Sequence, residues 1–324
     1  GSSRHYPQGS IVLDMMRYVL GNEAYRAAIQ HYLEKHAFGN VDSDDLRIAI
    51  LERTGVNLDW FFKQWVYKGG HPKYEVHTEI TSDSVIINVA QVHEINSEVG
   101  LFRMPVTIEV HFEDFSTKAT QRVWIEEANH RLSIPTNGNG VAYVLFDPGF
   151  QILKEIEFPK DQDELMAQSK HAEHMIDRYD AICDLDSFIS KEVEAHLIEI
   201  YDSQEFWAIR SEAVKQLAKQ EGKKARKTLL AALEDEDHRV RRSAFNGLGS
   251  IKKSELKLAE SLLTDPSYRN VSFALKTLSD SFPENSQQYL DITEGIRGTS
   301  HNVEISRLKV LGAIDSVAAM DRLT

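Results

Sequence analysis

The sequence predicts a multidomain chain of α and β structure: an all-α unit over residues 1–72, an antiparallel β-sandwich over 73–159, and a domain of helical repeats over 160–324. Three observations predict it. Apolar residues recur with a helical period up to about residue 68, the period drops to two from Tyr74, and beyond Glu164 an Ala-x-x-x-Leu signature returns at a fixed interval.

In the first part Val12, Met15, Met16 and Val19 fall on one face of a 3.6-residue period. Gly21 is expected to stop that helix and Asn22 to cap the next, which carries Tyr25, Ala28, Ile29, Tyr32 and Leu33 on one stripe. The run Asp42-Ser-Asp-Asp45 offers side-chain oxygens to the free amides of a third helix, which continues through Leu46, Ile50 and Leu51 to Gly55. Asn57 opens a fourth, rich in aromatics, that closes at Gly69-Gly70-His71-Pro72.

From Tyr74 short alternating segments follow one another, each rich in β-branched and aromatic residues. Turn signals such as Ser82-Asp83-Ser84 and Asn137-Gly138-Asn139-Gly140 separate them, so six or seven strands are expected in two sheets. Pro159 and the charged run from Lys160 to Glu164 mark the end of this part.

Thereafter nothing reads as strand. Ala213/Leu217, Ala244/Leu248 and Ala274/Leu278 repeat at spacings of 31 and 30 residues, with a fainter echo in "ISRLKVLGAID". Further helical stretches lie between them, and Asp265-Pro266 breaks one pair from the next. A two-helix unit of this length can bury its apolar face only on its neighbours, the pattern of a HEAT-like α-solenoid.

Composition narrows the function. A formal net charge of −13 opposes binding to nucleic acid or to an anionic membrane surface. The basic cluster Lys223, Lys224, Arg226, Lys227, Arg239, Arg241 and Arg242 is interleaved with Glu234, Asp235, Glu236 and Asp237, and reads as a solvated, self-compensating helix surface. Cys183 is the only cysteine and reads as a small core residue, which removes any disulfide framework or cysteine zinc knuckle. No apolar run approaches the ~20 residues of a membrane span, and no signal peptide is visible. The start at Gly-Ser-Ser-Arg, with no initiator Met, suggests a fragment, so a cytoplasmic location is an expectation that the absent leader leaves open.

Local chemistry is sparse. There is no His-Glu-x-x-His motif, no glycine-rich phosphate loop and no Gly-x-Ser-x-Gly elbow. His31 and His36 would stand far apart around a helix, while His171 and His174 lack both the i, i+4 geometry and a third ligand, so all four read as surface histidines and no metal site is expected in this chain. Tyr6 is the remaining candidate. It precedes Pro7, which suits the first helical position and would hold Tyr6 extended. Its phenol, with a pKa of about 10, keeps its proton at neutral pH and can donate to a developing oxyanion. A hydroxyl tied to backbone is the structural alternative.

The stretch from Tyr6 to Pro72 resembles the C-terminal part of the catalytic domain of M1 zinc aminopeptidases, the aminopeptidase N group. The family carries Tyr-x-Lys-Gly before an apolar helix, Leu-Gly before an aromatic, an Asp-Leu helix, and a Phe-Phe-x-x-Trp helix followed by Gly-x-Pro. Tyr6, Gly9, Leu20-Gly21, Tyr32, Asp45-Leu46, Phe61-Phe62, Trp65, Gly70 and Pro72 match in order. One departure stands out: the family's Lys is Gln8 here.

The resemblance implies the helical end of a thermolysin-like catalytic domain, then the sandwich, then the solenoid. By the same resemblance Tyr6 is the catalytic tyrosine that donates to the tetrahedral oxyanion. The family's zinc ligands, general base and amine-binding segment lie upstream and are not in this chain. The expected function is therefore that of a C-terminal fragment of a zinc aminopeptidase acting on peptide substrates, inactive alone, with zinc and the missing N-terminal part of the same protein supplied in the full-length enzyme. Two rivals stand beside it: a non-catalytic M1-like scaffold that binds partners through its solenoid, and an adaptor built from sandwich and repeats, which leaves the first 70 residues unexplained.

Overall fold

Helix α1 (His5–Leu20) opens the chain in the computed structural model, which describes the backbone of residues 5–315 and the side chains from Pro7 onward. It is followed by α2 (Asn22–Lys35), α3 (Ser43–Thr54) and α4 (Asp59–Trp65). Gly21 separates the first two at φ 82°, where its N–H still bonds to the Arg17 carbonyl. The residue flanking α2 is thus Gly21 with no side-chain bond, and Asn22 is already helical rather than a cap. Asp42 does cap α3, accepting from the amides of Asp44 and Asp45 while Asp45 returns a bond to the Asp42 amide. Such a box contributes ~1 kcal/mol. Gly55 ends α3 in the left-handed region at φ 71°. Asn57 accepts the Asp59 N–H at 2.8 Å, so the fourth helix starts two residues after it.

Seven strands follow: β1 (Lys73–Ile80), β2 (Ser84–Gln91), β3 (Met104–Phe112), β4 (Lys118–Ile125), β5 (Asn129–Pro135), β6 (Val141–Phe146) and β7 (Glu155–Glu157). They form one sheet in the order β5-β2-β1-β7 and another in the order β4-β3-β6. All pairings are antiparallel except one. β7 runs parallel to β1, with Lys73 opposite Glu155, so the expectation of a wholly antiparallel arrangement is corrected here. The cause is the connection: after β6 the chain leaves the three-stranded sheet and crosses to the other, and a crossover, unlike a hairpin, can deliver a strand in the direction of its neighbour.

That crossover is held by a buried ion pair. Asp147 (φ 60°) accepts from the amides of Gln151 and Ile152, and Lys154 Nζ lies 2.6 Å from its Oδ2. The two side chains are 0% and 4% exposed. Burial raises the Asp147 pKa, against the lowering by Lys154.

The inward residues of both sheets, among them Val76, Ile87, Val106, Ile108 and Val144, share one apolar cluster with Met15, Met16, Ile50, Phe61 and Phe62 of the helices. Each such side chain, fully buried, contributes ~1.5–3 kcal/mol of transfer free energy. Alternation fails on β3, which is buried on both faces. Glu109 and His111, on its outer side, bond to one another at 2.9 Å, and the His111 ring stacks on Tyr143 of β6. Tyr143 and Leu145 in turn pack on Ala172, just past α5 (Gln162–His171).

By internal contacts the chain divides into two units, one through Asp177 and one from Arg178 on. Helix α6 (Met175–Asp184) spans that boundary. The second unit pairs α7 (Lys191–Ser203) with α8 (Trp207–Leu217), α9 (Lys223–Ala231) with α10 (His238–Gly247), α11 (Leu256–Glu260) with α12 (Tyr268–Ser281), and α13 (Ser286–Ile292) with α14 (Asn302–Ile314). All six residues of the Ala-x-x-x-Leu signature are buried. Cys183 is half-buried rather than a full core residue, and burial together with Glu212 pushes its thiol up to about 12.

Arg226, Arg239 and Arg241 of the basic cluster pair with acids, and Arg226 and Arg241 do so largely away from solvent, as does Arg210 outside it. Arg210 pairs with Asp235, Arg226 with Glu255, and Arg241 with Asp265, each through a carboxylate that is largely buried. Successive helix pairs bring these partners 24 to 29 residues along the chain into one seam, which a reading of adjacent charges as mutually exposed misses. No helix among the described residues is long and apolar enough to cross a membrane.

Candidate functional site

The first helix starts at His5, so Tyr6 is helical and not extended, and Pro7 sits within the first turn. Proline is tolerated there because first-turn amides have no intrahelical acceptor. The Tyr6 side chain lies outside the described residues.

The residues just after it floor an open cleft. Gln8, Gly9, Val12 and Met16 of α1, Tyr32 of α2, Leu46 of α3, and Phe62 and Trp65 of α4 enclose about 600 Å³. The periodicity that placed Val12 and Met16 on one face is what aims them here. The cleft lining exposes Leu13, Val41 and Val66, and the helical unit also exposes Leu33 and Phe38, a dense apolar surface for four short helices. Two polar atoms at this end are buried without a partner: Trp65 Nε1, on the cleft wall, and His36 Nε2, whose ring lies 5.5 Å from that of Tyr32. A buried donor left unmade costs about 1–3 kcal/mol, so this face is incomplete in polar as well as apolar terms.

The histidines do not assemble a metal centre. His31 bonds to Glu52, which also binds Lys35 at 2.7 Å, and His171 stacks on Phe115. Among the described residues no group of three His, Cys, Asp or Glu side chains is placed to hold a metal ion. The described residues therefore do not fit a zinc site.

Sequence reasoning missed the Glu109–His111–Lys118 cluster. Burial pushes the Glu109 pKa up, but the hydrogen bonds from His111 and Lys118 hold it below the usual carboxylate range. Glu109 and His111 are buried although they lie on the outer side of β3, where the Tyr143 ring covers His111, while Lys118 stays exposed. No local signal carried that.

Comparison with known proteins follows the same division of the chain. Residues 2–65 match the Peptidase family M1 domain, and residues 194–279 match HEAT repeats. The chain is 26% identical over 147 residues to a probable aminopeptidase 1 of Sulfurisphaera tokodaii, covering 44% of this chain and 18% of that protein. It is 27% identical over 217 residues to aminopeptidase N of Lactobacillus delbrueckii subsp. lactis, covering 60% of this chain and 24% of the relative. With aminopeptidase N of Lactococcus lactis subsp. lactis the identity is 33% over 86 residues, 26% of this chain and 10% of the relative. The matched region thus spans a quarter or less of these relatives. The crystal structure of Legionella pneumophila aminopeptidase A in complex with aspartic acid superposes with a TM-score of 0.68 at 13% identity, over 97% of this chain and 44% of that one. At that identity the likeness is one of fold.

Proposed function

We propose that this chain, which is M1 aminopeptidase-like, is the C-terminal part of a zinc-dependent peptidase that removes N-terminal residues from peptides. In this reading residues 1–72 close the catalytic domain, 73–159 form its β-sandwich, and 160–324 its HEAT-like repeats. The single observation that carries it is the match of residues 2–65 to the Peptidase family M1 domain, over the same helices that leave an uncovered apolar cleft.

Such a cleft is what a domain presents where the rest of its core is elsewhere. We assign its cover to the upstream polypeptide of the same protein, which would also bring the zinc ligands, the general base and the group that holds the substrate's free amine. Tyr6, one turn ahead of the cleft floor, supplies the phenolic proton for the tetrahedral oxyanion. A preorganised donor at that point lowers the barrier because charge develops there only in the transition state. Peptides are the substrates, and the chain alone is inactive.

The departure at Gln8 and the HEAT match favour one rival, a non-catalytic scaffold whose repeats bind partners. The experiment that separates them compares this chain with the full-length protein for zinc content and hydrolysis of aminoacyl anilides. Zinc and turnover in the full-length protein, with neither in the chain alone, support the peptidase. Absence of both from the full-length protein supports the scaffold.

A further inference from the structure

The two sheets end in four outer strands, and three of these are protected against pairing with another chain. β7 is only three residues long. β5 closes on Pro135, which has no N–H to offer. On β6, the Val144 carbonyl is taken up by Lys160 Nζ at 2.7 Å. β4 differs from all three: it runs for eight residues without proline, in unbroken register against β3 from Lys118 to Ile125.

The phase of that ladder is set by one bond. Phe112 donates to the Thr117 carbonyl, so Thr117 and every second residue after it bond to β3. Lys118, Thr120, Arg122 and Trp124 therefore turn their N–H and C=O groups away from β3, and no hydrogen bond among the described residues takes them up. All four residues are exposed. An open row of alternating donors and acceptors is a template for a further strand.

We infer that β4 pairs with β4 of a second copy of this chain, antiparallel about a two-fold axis at Gln121, joining two three-stranded sheets into one. An antiparallel pair of identical strands matches its outward groups to themselves, as an isologous contact requires. Charge then places the axis. Centred on Thr120, the pairing sets Lys118 against Arg122, and centred on Arg122 it sets two guanidiniums against each other. Centred on Gln121, Lys118 faces Trp124 and Thr120 faces Arg122 on one face, while Ala119 faces Val123 on the other, so no like charges are opposed. In a chain of net charge −13, β4 carries two bases and no acid, so two copies meet here away from most of their mutual repulsion. The inference is independent of the peptidase reading.

Sedimentation velocity of the intact chain tests it, with a dimer populated at concentrations on the order of 100 µM. Thr120→Pro removes an outward donor and no bond to β3, and weakens dimerisation at least about tenfold. Ser133 on β5 also points its N–H outward, because Thr136 donates to the Asp83 carbonyl in the ladder with β2. Ser133→Pro therefore changes the dimer by no more than about twofold. Gln121→Glu and Gln121→Lys each place like charges face to face at the axis and lower the affinity, while an equimolar mixture of the two variants restores a dimer with one copy of each. The Gln121 pair decides the matter should the proline variant not fold. A monomeric intact chain, an undiminished dimer in Thr120→Pro, equal weakening by Ser133→Pro, or a mixture of Gln121 variants no tighter than either alone overturns the inference.

Discussion

Arg241 of α10 grips Asp265 at the turn before α12 with two parallel hydrogen bonds, Nε to Oδ2 at 2.6 Å and Nη2 to Oδ1 at 2.9 Å. Arg210 and Asp235 repeat the arrangement one helix pair earlier. The same Asp265 accepts the Ser267 amide and Asn270, so it ties the end of one repeat to the start of the next. Arg241→Ala leaves this carboxylate buried and unpaired. Chemical denaturation of the chain is expected to show a loss of about 3–5 kcal/mol in the repeat unit. Loss of less than about 1 kcal/mol would place the pair among surface bridges.

The pH dependence of that pair has a definite sign. Burial pushes Asp265 up, but Arg241, the Ser267 amide and Asn270 hold it below the usual carboxylate range, and Arg226 does the same for Glu255. A carboxyl whose folded pKa is depressed binds more protons when unfolded. Its contribution is present above the unfolded pKa, about 3.9 for Asp and 4.3 for Glu, and is lost as pH falls below it. The stability gap between the intact chain and Asp265→Asn is therefore expected to be full near neutral pH and to shrink below about pH 4, as read from denaturation midpoints across pH.

Gly247 ends α10 where a β-carbon would stand 2.8 Å from that of Ala218, a rigid atom that cannot swing aside. Gly247→Ala must push the two helices apart. Despite the helix propensity of alanine, a net loss of about 1–3 kcal/mol is expected, with a lowered melting temperature. A rise in melting temperature would show that the helices yield freely at this point.

Lys154 and Asp147 predict a non-additive cycle. Lys154→Met strands a buried carboxylate and is expected to cost about 3–5 kcal/mol, while Lys154→Met with Asp147→Asn recovers part of that loss. Additive losses in thermal or denaturant unfolding would mean that the two side chains act independently.

Much of this architecture could be read from local pattern, for reasons visible in particular residues. Ala213, Ala244 and Ala274 are small because helices approach there, and that need repeats with the fold, so it shows as a period. Asp42 and Gly55 frame α3 through backbone chemistry confined to a few residues. β7 parallel to β1 was not legible, since its direction is set by a crossover held by Asp147 and Lys154 and not by its own three residues. Nor was the burial of Glu109 and His111 on the outer side of β3, where the ring of Tyr143 from another strand stacks on His111. At the candidate site, Val12 and Met16 were placed on the correct face by periodicity, whereas the helical backbone of Tyr6 was not anticipated because proline tolerates any first-turn position.

The central claim concerns one hydroxyl, and Tyr6→Phe in the full-length protein tests it most directly. With zinc content and folding unchanged, the account predicts that turnover of an aminoacyl anilide falls by a factor on the order of 10² to 10³, with little change in KM, as loss of one oxyanion donor requires. Turnover equal to that of the unaltered enzyme would contradict it and return Tyr6 to a structural role.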